Sequence, residues 1–377
     1  MSQLDNFVSQ VNSLPGMIGP CVDRLEPVTR KALSTPEIYG LRQIILTGSG
    51  DSYFAGAAAA PVFRDLTGLP VQAMTSMEAS RYAGGAGKSV INARGTLVIP
   101  VSYSGEAARL VEAAHRWRDR GAITLGLTGA REGRLAKAAE RIVNTRIEEV
   151  APAPGTRTYV VALIALNLLA IRLAEVLMRI TMEEANGMRR ELCAIGEALG
   201  DVEAGLSAPL RAFAERSRDW NAFDVLGSGP SLGSAGYGAA KLVEAAGVHA
   251  VAQDSEEFFH LNFFVDQPAR TPAIFYAPAQ GAAASRSAEL VETLGQLGRP
   301  SIVVTDQAGF GGGQLELVLP RVREWFAPIV QTAPAALLAA YAADVRGGAH
   351  YRGHDGPWIG ARGAGLVRDS QIDLNRE

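Results

Sequence analysis

The stretch Gln43-Ile44-Ile45-Leu46-Thr47-Gly48-Ser49-Gly50-Asp51-Ser52 decides the fold. A short apolar strand passes through a Gly-Ser-Gly turn into an Ala-rich helix over residues 52–63. A second segment repeats the arrangement. Residues 95–101 read as a strand and 107–120 as a helix, with Ser102-Tyr103-Ser104-Gly105-Glu106 between them. The first N–H groups of a helix have no internal partner, and the helix dipole adds partial positive charge there. A phosphate fits such a turn. Two adjacent strands that end in hydroxyl-bearing turns would converge on one oxyanion.

A strand, a Gly-x-Gly and a helix also open a dinucleotide fingerprint, which needs a third glycine where the helix packs on the sheet. That position is Tyr53 here, and the second Gly-x-Gly, at Gly227 and Gly229, has Leu232 in the third place. No Gly-Lys-Ser/Thr completes a phosphate-binding P-loop. Nicotinamide and flavin are therefore not expected, and a phosphate on a small molecule is.

The 377 residues suffice for two domains with their own cores. A net charge of −3 and the lack of a basic run leave no electrostatic footprint for nucleic acid. The most apolar run, residues 159–171, reads as too short for a bilayer, and Arg172 and Glu175 follow it, so a buried helix is expected rather than a membrane span. The N-terminus shows no secretory pattern, which points to the cytoplasm. Cys21 and Cys193 form neither a disulfide framework nor a zinc pattern and read as buried apolar groups. Five histidines without ligand spacing offer no metal site, and no cofactor is implied.

In chain order, residues 1–35 read as a helical leader, 36–180 as a first α/β domain with the phosphate cradle, and 181–210 as a helical connector. Residues 211–352 read as a second α/β domain and 353–377 as a tail over the site. Strands alternating with helices predict a parallel sheet covered on both faces, a three-layer αβα unit. The pattern returns after the connector. Residues 224–229 echo 45–50 at an offset of 179, since 227 − 48 = 179, and the pairs Leu290-Val291 with Leu110-Val111 and Thr305 with Thr128 keep offsets of 180 and 177. The chain thus reads as a duplicated unit. Its copies differ at the ligand end, where Ser102-Tyr103-Ser104-Gly105-Glu106 is answered by Ala277-Pro278-Ala279-Gln280-Gly281. The first copy should hold the ligand.

These residues resemble the sugar isomerase (SIS) family, in particular its double-domain members such as the isomerase half of glucosamine-6-phosphate synthase and related sugar-phosphate deaminases, deglycases and isomerases. The resemblance covers roughly residues 40–350. It rests on Gly48, Ser49, Gly50 and Ser52 with Tyr53, on the turn Ser102, Tyr103, Ser104, Gly105 and Glu106, on Thr156-Arg157 before the apolar helix, and on Lys241 to Glu244 and Glu257 to His260. It implies a phosphosugar or aminosugar-phosphate isomerase or deaminase working by proton transfer between C1 and C2 of an open-chain sugar. Glu244 would be the base, His260 the ring opener, and Glu257 a residue that orients His260 or faces water. Carboxylate and imidazole suit those tasks, since each gives and takes protons when its pKa is tuned. The serines and glycines of the two turns, with Thr156 and Arg157, would hold the phosphate, although Arg157 could equally pair with Glu148 or Glu149. A sugar phosphate is the expected partner, and the resemblance implies a homodimer.

Three positions depart from the family pattern. Ala107 stands where a threonine usually follows the Ser-Gly-Glu step. Tyr237 replaces a second glutamate before the base. The C-terminal segment from Gly356 to Glu377 has no lysine, the chain's lysines being Lys31, Lys88, Lys137 and Lys241. With no N-terminal cysteine before the helical leader, a glutaminase half is not expected, which favours deamination, deglycation or isomerisation. A non-catalytic sugar-phosphate-binding regulator and an etherase-type lyase are the alternatives.

Overall fold

The computed structural model describes residues 2–83, 93–220, 222–348, 361 and 363–374. Three helices open the chain: α1 (Gln3–Asn12), α2 (Leu14–Arg30) and α3 (Thr35–Gly40). Then come β1 (Gln43–Gly48), α4 (Asp51–Thr67), β2 (Val71–Thr75), a π-helical turn (Glu78–Ala83), β3 (Thr96–Pro100), α5 (Ala108–Asp119), β4 (Ile123–Thr128), α6 (Arg134–Ala138) and β5 (Arg141–Asn144). Three long helices follow, α7 (Arg157–Val176), α8 (Met182–Glu203) and α9 (Ser207–Arg216). The second series is β6 (Ala222–Gly227), α10 (Pro230–Lys241), a π-helical turn (Leu242–Ala246), β7 (His249–Gln253), α11 (Ser255–His260), β8 (Ala273–Tyr276), α12 (Ala284–Gln296), β9 (Ser301–Thr305), β10 (Leu315–Val318) and α13 (Ala327–Val345). The last described helix is α14 (Gly363–Asp369).

The first sheet runs β2-β1-β3-β4-β5 and the second β7-β6-β8-β9-β10, all parallel. The orders are identical once the copies are superposed in sequence, as a duplication requires. In each sheet the strand order reverses between the first strand of the copy and the third, the place where open α/β sheets bind ligands at their carboxyl edge. Edge strand β5 pairs with β4.

The chain divides into two compact units, which interleave along the sequence. One comprises Pro20–Glu148, Thr158–Cys193 and Gly353–Glu377, and contains the first sheet; the other comprises Met1–Gly19, Glu149–Arg157 and Ala194–Arg352, and contains the second. In the first unit the alanines of α4 let that helix lie close on the sheet, with Gly56 facing Leu46. Ile45, Met74, Val98, Ala113 and Trp117 form an apolar core beneath α5. In the second unit Leu226, Phe258, Phe275, Leu290 and Val303 do the same beneath α12.

Burial, and not length, accounts for the most apolar helices. Helix α7 has 20 residues and is long and apolar enough to cross a membrane, contrary to the expectation from residues 159–171, as is the Glu324–Val345 segment; their apolar windows are 83% and 100% buried. They are core helices. Cys21 is buried as expected, but Cys193 is only half-buried, its Sγ 3.9 Å from Asp23 Oδ1, because it lies at the edge of the helical face that α8 buries.

Candidate functional site

The turn after β1 is tight because two glycines allow it. A side chain at Gly48 would collide with the backbone of Ser52, and Gly50 has φ 54° and ψ −128°, a conformation suited to glycine. Ser52 N and Tyr53 N donate to Ser49 O and Gly50 O, at 3.2 and 2.9 Å, so α4 begins immediately. The Ser49 hydroxyl is exposed at the carboxyl edge of the sheet and donates to Ser76 Oγ at 2.7 Å, at the end of β2.

In the turn after β3, Ser102 is buried, with its N donating to Leu127 O at 2.9 Å and its Oγ accepting from Gly105 N at 3.2 Å. Ser104 is exposed, and its Oγ accepts from Glu106 N at 3.4 Å. Among the described residues no side chain caps α5, which starts at Ala108. The Glu106 carboxylate accepts from Arg134 N at 3.2 Å and so caps the neighbouring helix α6. Tyr103 turns towards Gly129 and exchanges hydrogen bonds of 3.3 and 3.4 Å with the Ile147 backbone.

Beside the first turn and the start of α5 opens a pocket of about 580 Å³, whose wall includes Ser49, Ser76, Arg81, Ala107 and Arg109 and, from the C-terminal segment, Leu366. Ser52 and Tyr103 instead line a separate narrow cleft with Asp51, Thr145 and Tyr159. Ser76, Arg81 and Arg109 were not legible from motifs. Arg81 and Arg109 both pair with Glu112, which is fully buried on α5, and Arg116 lies 3.6 Å from the same carboxylate. Burial pushes the Arg109 guanidinium below the usual arginine range; Glu112 opposes this, and the neighbouring guanidiniums of Arg81 and Arg116 add to it.

The candidate acid–base residues lie in the second unit. Glu244 sits on the π-helical turn after α10, its side chain 46% exposed, and pairs with Lys241, which is fully buried and lies 5.4 Å from the Tyr237 ring centre. His260 ends α11, is 66% exposed, and has Nε2 3.6 Å from Glu256 Oε1. The carboxylate one helical turn before the histidine is thus Glu256, with Glu257 exposed beside it. Arg286 holds Glu256 below its usual carboxylate range. Thr156 is buried, donating to Pro154 O at 3.1 Å and accepting from the Tyr237 hydroxyl at 3.4 Å. Arg157 is buried too, with Nε 3.4 Å from Met17 Sδ, a partner that no sequence pattern indicates.

The second unit repeats the first turn closely. Gly229 has φ 57° and ψ −132°, and Ser228 shares a short hydrogen bond with Ser255, the equivalents of Ser49 and Ser76 at the same offset of 179. The other turn differs. Ala279 N donates to Asp306 Oδ1 at 2.7 Å and Ala282 N to Glu324 Oε2 at 3.1 Å, and a side chain at Gly281 would meet Glu324 Oε1 at 2.6 Å. The chain's own carboxylates occupy that turn.

Residues 37–172 match the family described as SIS domain. Over 357 residues the chain is 28% identical to a glutamine--fructose-6-phosphate aminotransferase [isomerizing] of Gloeobacter violaceus, covering 90% of this chain and 56% of that protein. The chain spans about half the length of the curated relatives it matches. Among solved structures, the C-terminal domain of glucosamine-fructose-6-phosphate aminotransferase from Francisella tularensis superposes with a TM-score of 0.80 at 19% identity, covering 91% of this chain and 96% of that one. Glucosamine-6-phosphate deaminase from Thermotoga maritima gives 0.68 at 16% identity, covering 92% and 96%. These structures share the fold of two SIS-type units.

Proposed function

We propose that this protein binds a phosphorylated sugar or amino sugar and moves a proton between C1 and C2 of its open-chain form, as an aldose–ketose isomerase or an aminosugar-phosphate deaminase. The observation that carries this reading is the pair of hydroxyl-bearing turns at the carboxyl ends of the adjacent strands β1 and β3, inside a SIS domain. Ser49, Ser102 and Ser104 with the open start of α5 are the phosphate ligands in this proposal, and the relatives' names, an aminotransferase and a deaminase of hexose phosphates, support that substrate class. Glu244 is the base and His260 the group that assists ring opening, roles that follow from the resemblance of residues 241–244 and 257–260. Lys241 fixes the Glu244 side chain through its ammonium. A homodimer belongs to the same reading, and light scattering at working concentration tests it.

One observation favours a second reading, a sugar-phosphate-binding regulator without turnover. The Tyr237 hydroxyl, where the family pattern has a glutamate, is occupied with Gly155 O at 3.1 Å. A thermal-shift screen over sugar phosphates and amino-sugar phosphates, with free sugars and inorganic phosphate as controls, finds ligands for either reading. NMR of the hits in deuterated water separates them. Exchange or loss of the C2 proton is the expected result; binding without exchange would leave only the regulator.

A further inference from the structure

Among the described residues, the guanidiniums of Arg81, Arg109 and Arg116 gather on one carboxylate, Glu112, and the Asp373 carboxylate acts on Arg109 from further off, so three positive charges meet two negative ones. Arg116 is directed away from the pocket, to Ser80 O at 3.1 Å and to the Asp373 carbonyl. The excess charge therefore faces the cavity through Arg81 and Arg109, which stand in its wall beside the hydroxyls of Ser49 and Ser76. Neither Ser102 nor Ser104 belongs to that wall, so the arginines do not duplicate the turn after β3. The destabilised state of Arg109 means that an added anion gains more there than beside a solvated arginine. Arg109 also binds the Ser370 hydroxyl at 3.2 Å and the Gln371 carbonyl, so the group that meets the ligand also holds the C-terminal wall of the pocket.

We propose that the Arg81–Arg109 pocket is a second anion subsite and that the substrate is a phosphorylated sugar carrying a carboxylate, the phosphate resting on the Ser102–Ser104 turn and the carboxylate on the two guanidiniums. This rests on the sugar-phosphate reading above. Planar guanidinium donors match a carboxylate, and the neighbouring Ser76 hydroxyl supplies a further donor. A sugar phosphate without a carboxylate would leave the excess charge unanswered.

Calorimetric titration of the full chain with a matched pair tests it: sorbitol 6-phosphate, and 6-phosphogluconate, which adds a carboxylate. The acid should bind about tenfold more tightly, the contribution of one or two charge-assisted hydrogen bonds. Arg81→Gln should remove that preference and leave sorbitol 6-phosphate binding within about twofold. Arg109→Gln should act likewise, and Arg81→Gln carries the test if Arg109→Gln does not fold, since Arg109 also anchors the C-terminal segment. Equal affinity for the two ligands in the wild type, or a preference that survives Arg81→Gln, overturns the subsite. If neither phosphate binds, the sugar-phosphate reading fails by itself, and gluconate decides the subsite. Stabilisation by gluconate that Arg81→Gln abolishes keeps it; no stabilisation rejects it.

Discussion

The two copies of the α/β unit share a strand order and a first turn but differ in what meets the second turn. In the first copy Ser102-Tyr103-Ser104-Gly105-Glu106 leads into α5, whose first cap residue, Ala107, offers no side-chain hydrogen bond and lines the pocket. In the second, Asp306 and Glu324 accept the N–H groups that a phosphate would otherwise take. The cores differ as well. Ile45 packs in the apolar cluster beneath α5, whereas its equivalent on β6 is Asp224, paired with the fully buried Arg299 and held by Asn262 Nδ2 at 2.6 Å. A duplicated fold thus keeps its backbone logic while, on the proposed reading, one copy serves as the receptor and the other does not.

The strongest way to break this division of labour is to separate holding from reacting. Glu244→Gln should lower turnover about a thousandfold or more while the ligand-induced rise in melting temperature persists. Steady-state kinetics beside thermal shift reads both, and activity within a few-fold of wild type would remove Glu244 from the role of base.

The core difference predicts the next largest effect. Asp224→Ala leaves Arg299 buried and unpaired and should cost about 3–5 kcal/mol, against about 1 kcal/mol for Ile45→Val at the equivalent place in the first copy. Urea unfolding of both variants makes the comparison. Similar losses would mean that the ion pair is no more critical than an apolar contact.

The receptor turns can be weakened and unmasked. Ser104→Ala should lose about tenfold in sugar-phosphate affinity, as expected for a lost hydrogen bond to a charged group. Glu324→Ala should add a second, weaker phosphate-binding event in calorimetry, and a folded variant that still binds a single phosphate would show that Glu324 only caps α12.

The smallest effect concerns pH. Arg141 holds Glu37 down to about 2, with help from the Ser34 hydroxyl, against an ordinary value of 4.5. A carboxylate with a depressed folded pKa contributes stability that is fully present above its unfolded pKa and is lost as pH falls through the folded one. Melting temperature should therefore fall between pH of about 4.5 and about 2, and Glu37→Gln should flatten that part of the profile by an amount worth about 1 kcal/mol after solvent screening. An unchanged slope would assign the acid loss to other groups.

The sequence by itself determined the parallel α/β units, their duplication and the two turns. The reason is local. Strand period, helix start and the need for glycine at Gly48 and Gly50 are all settled within a few residues of one another, and an offset of 179 is visible without any fold. Only the tertiary structure decided which groups surround those turns. Ser76 meets Ser49 from the next strand, Arg81 and Arg109 gather on a buried Glu112, Glu106 turns to cap α6, and Glu256 lies nearer His260 than the sequence motif suggested. It also placed Glu324 over the second copy's turn, 42 residues after the amide it binds. Such contacts depend on where separate elements come to rest, and no short-range pattern encodes them.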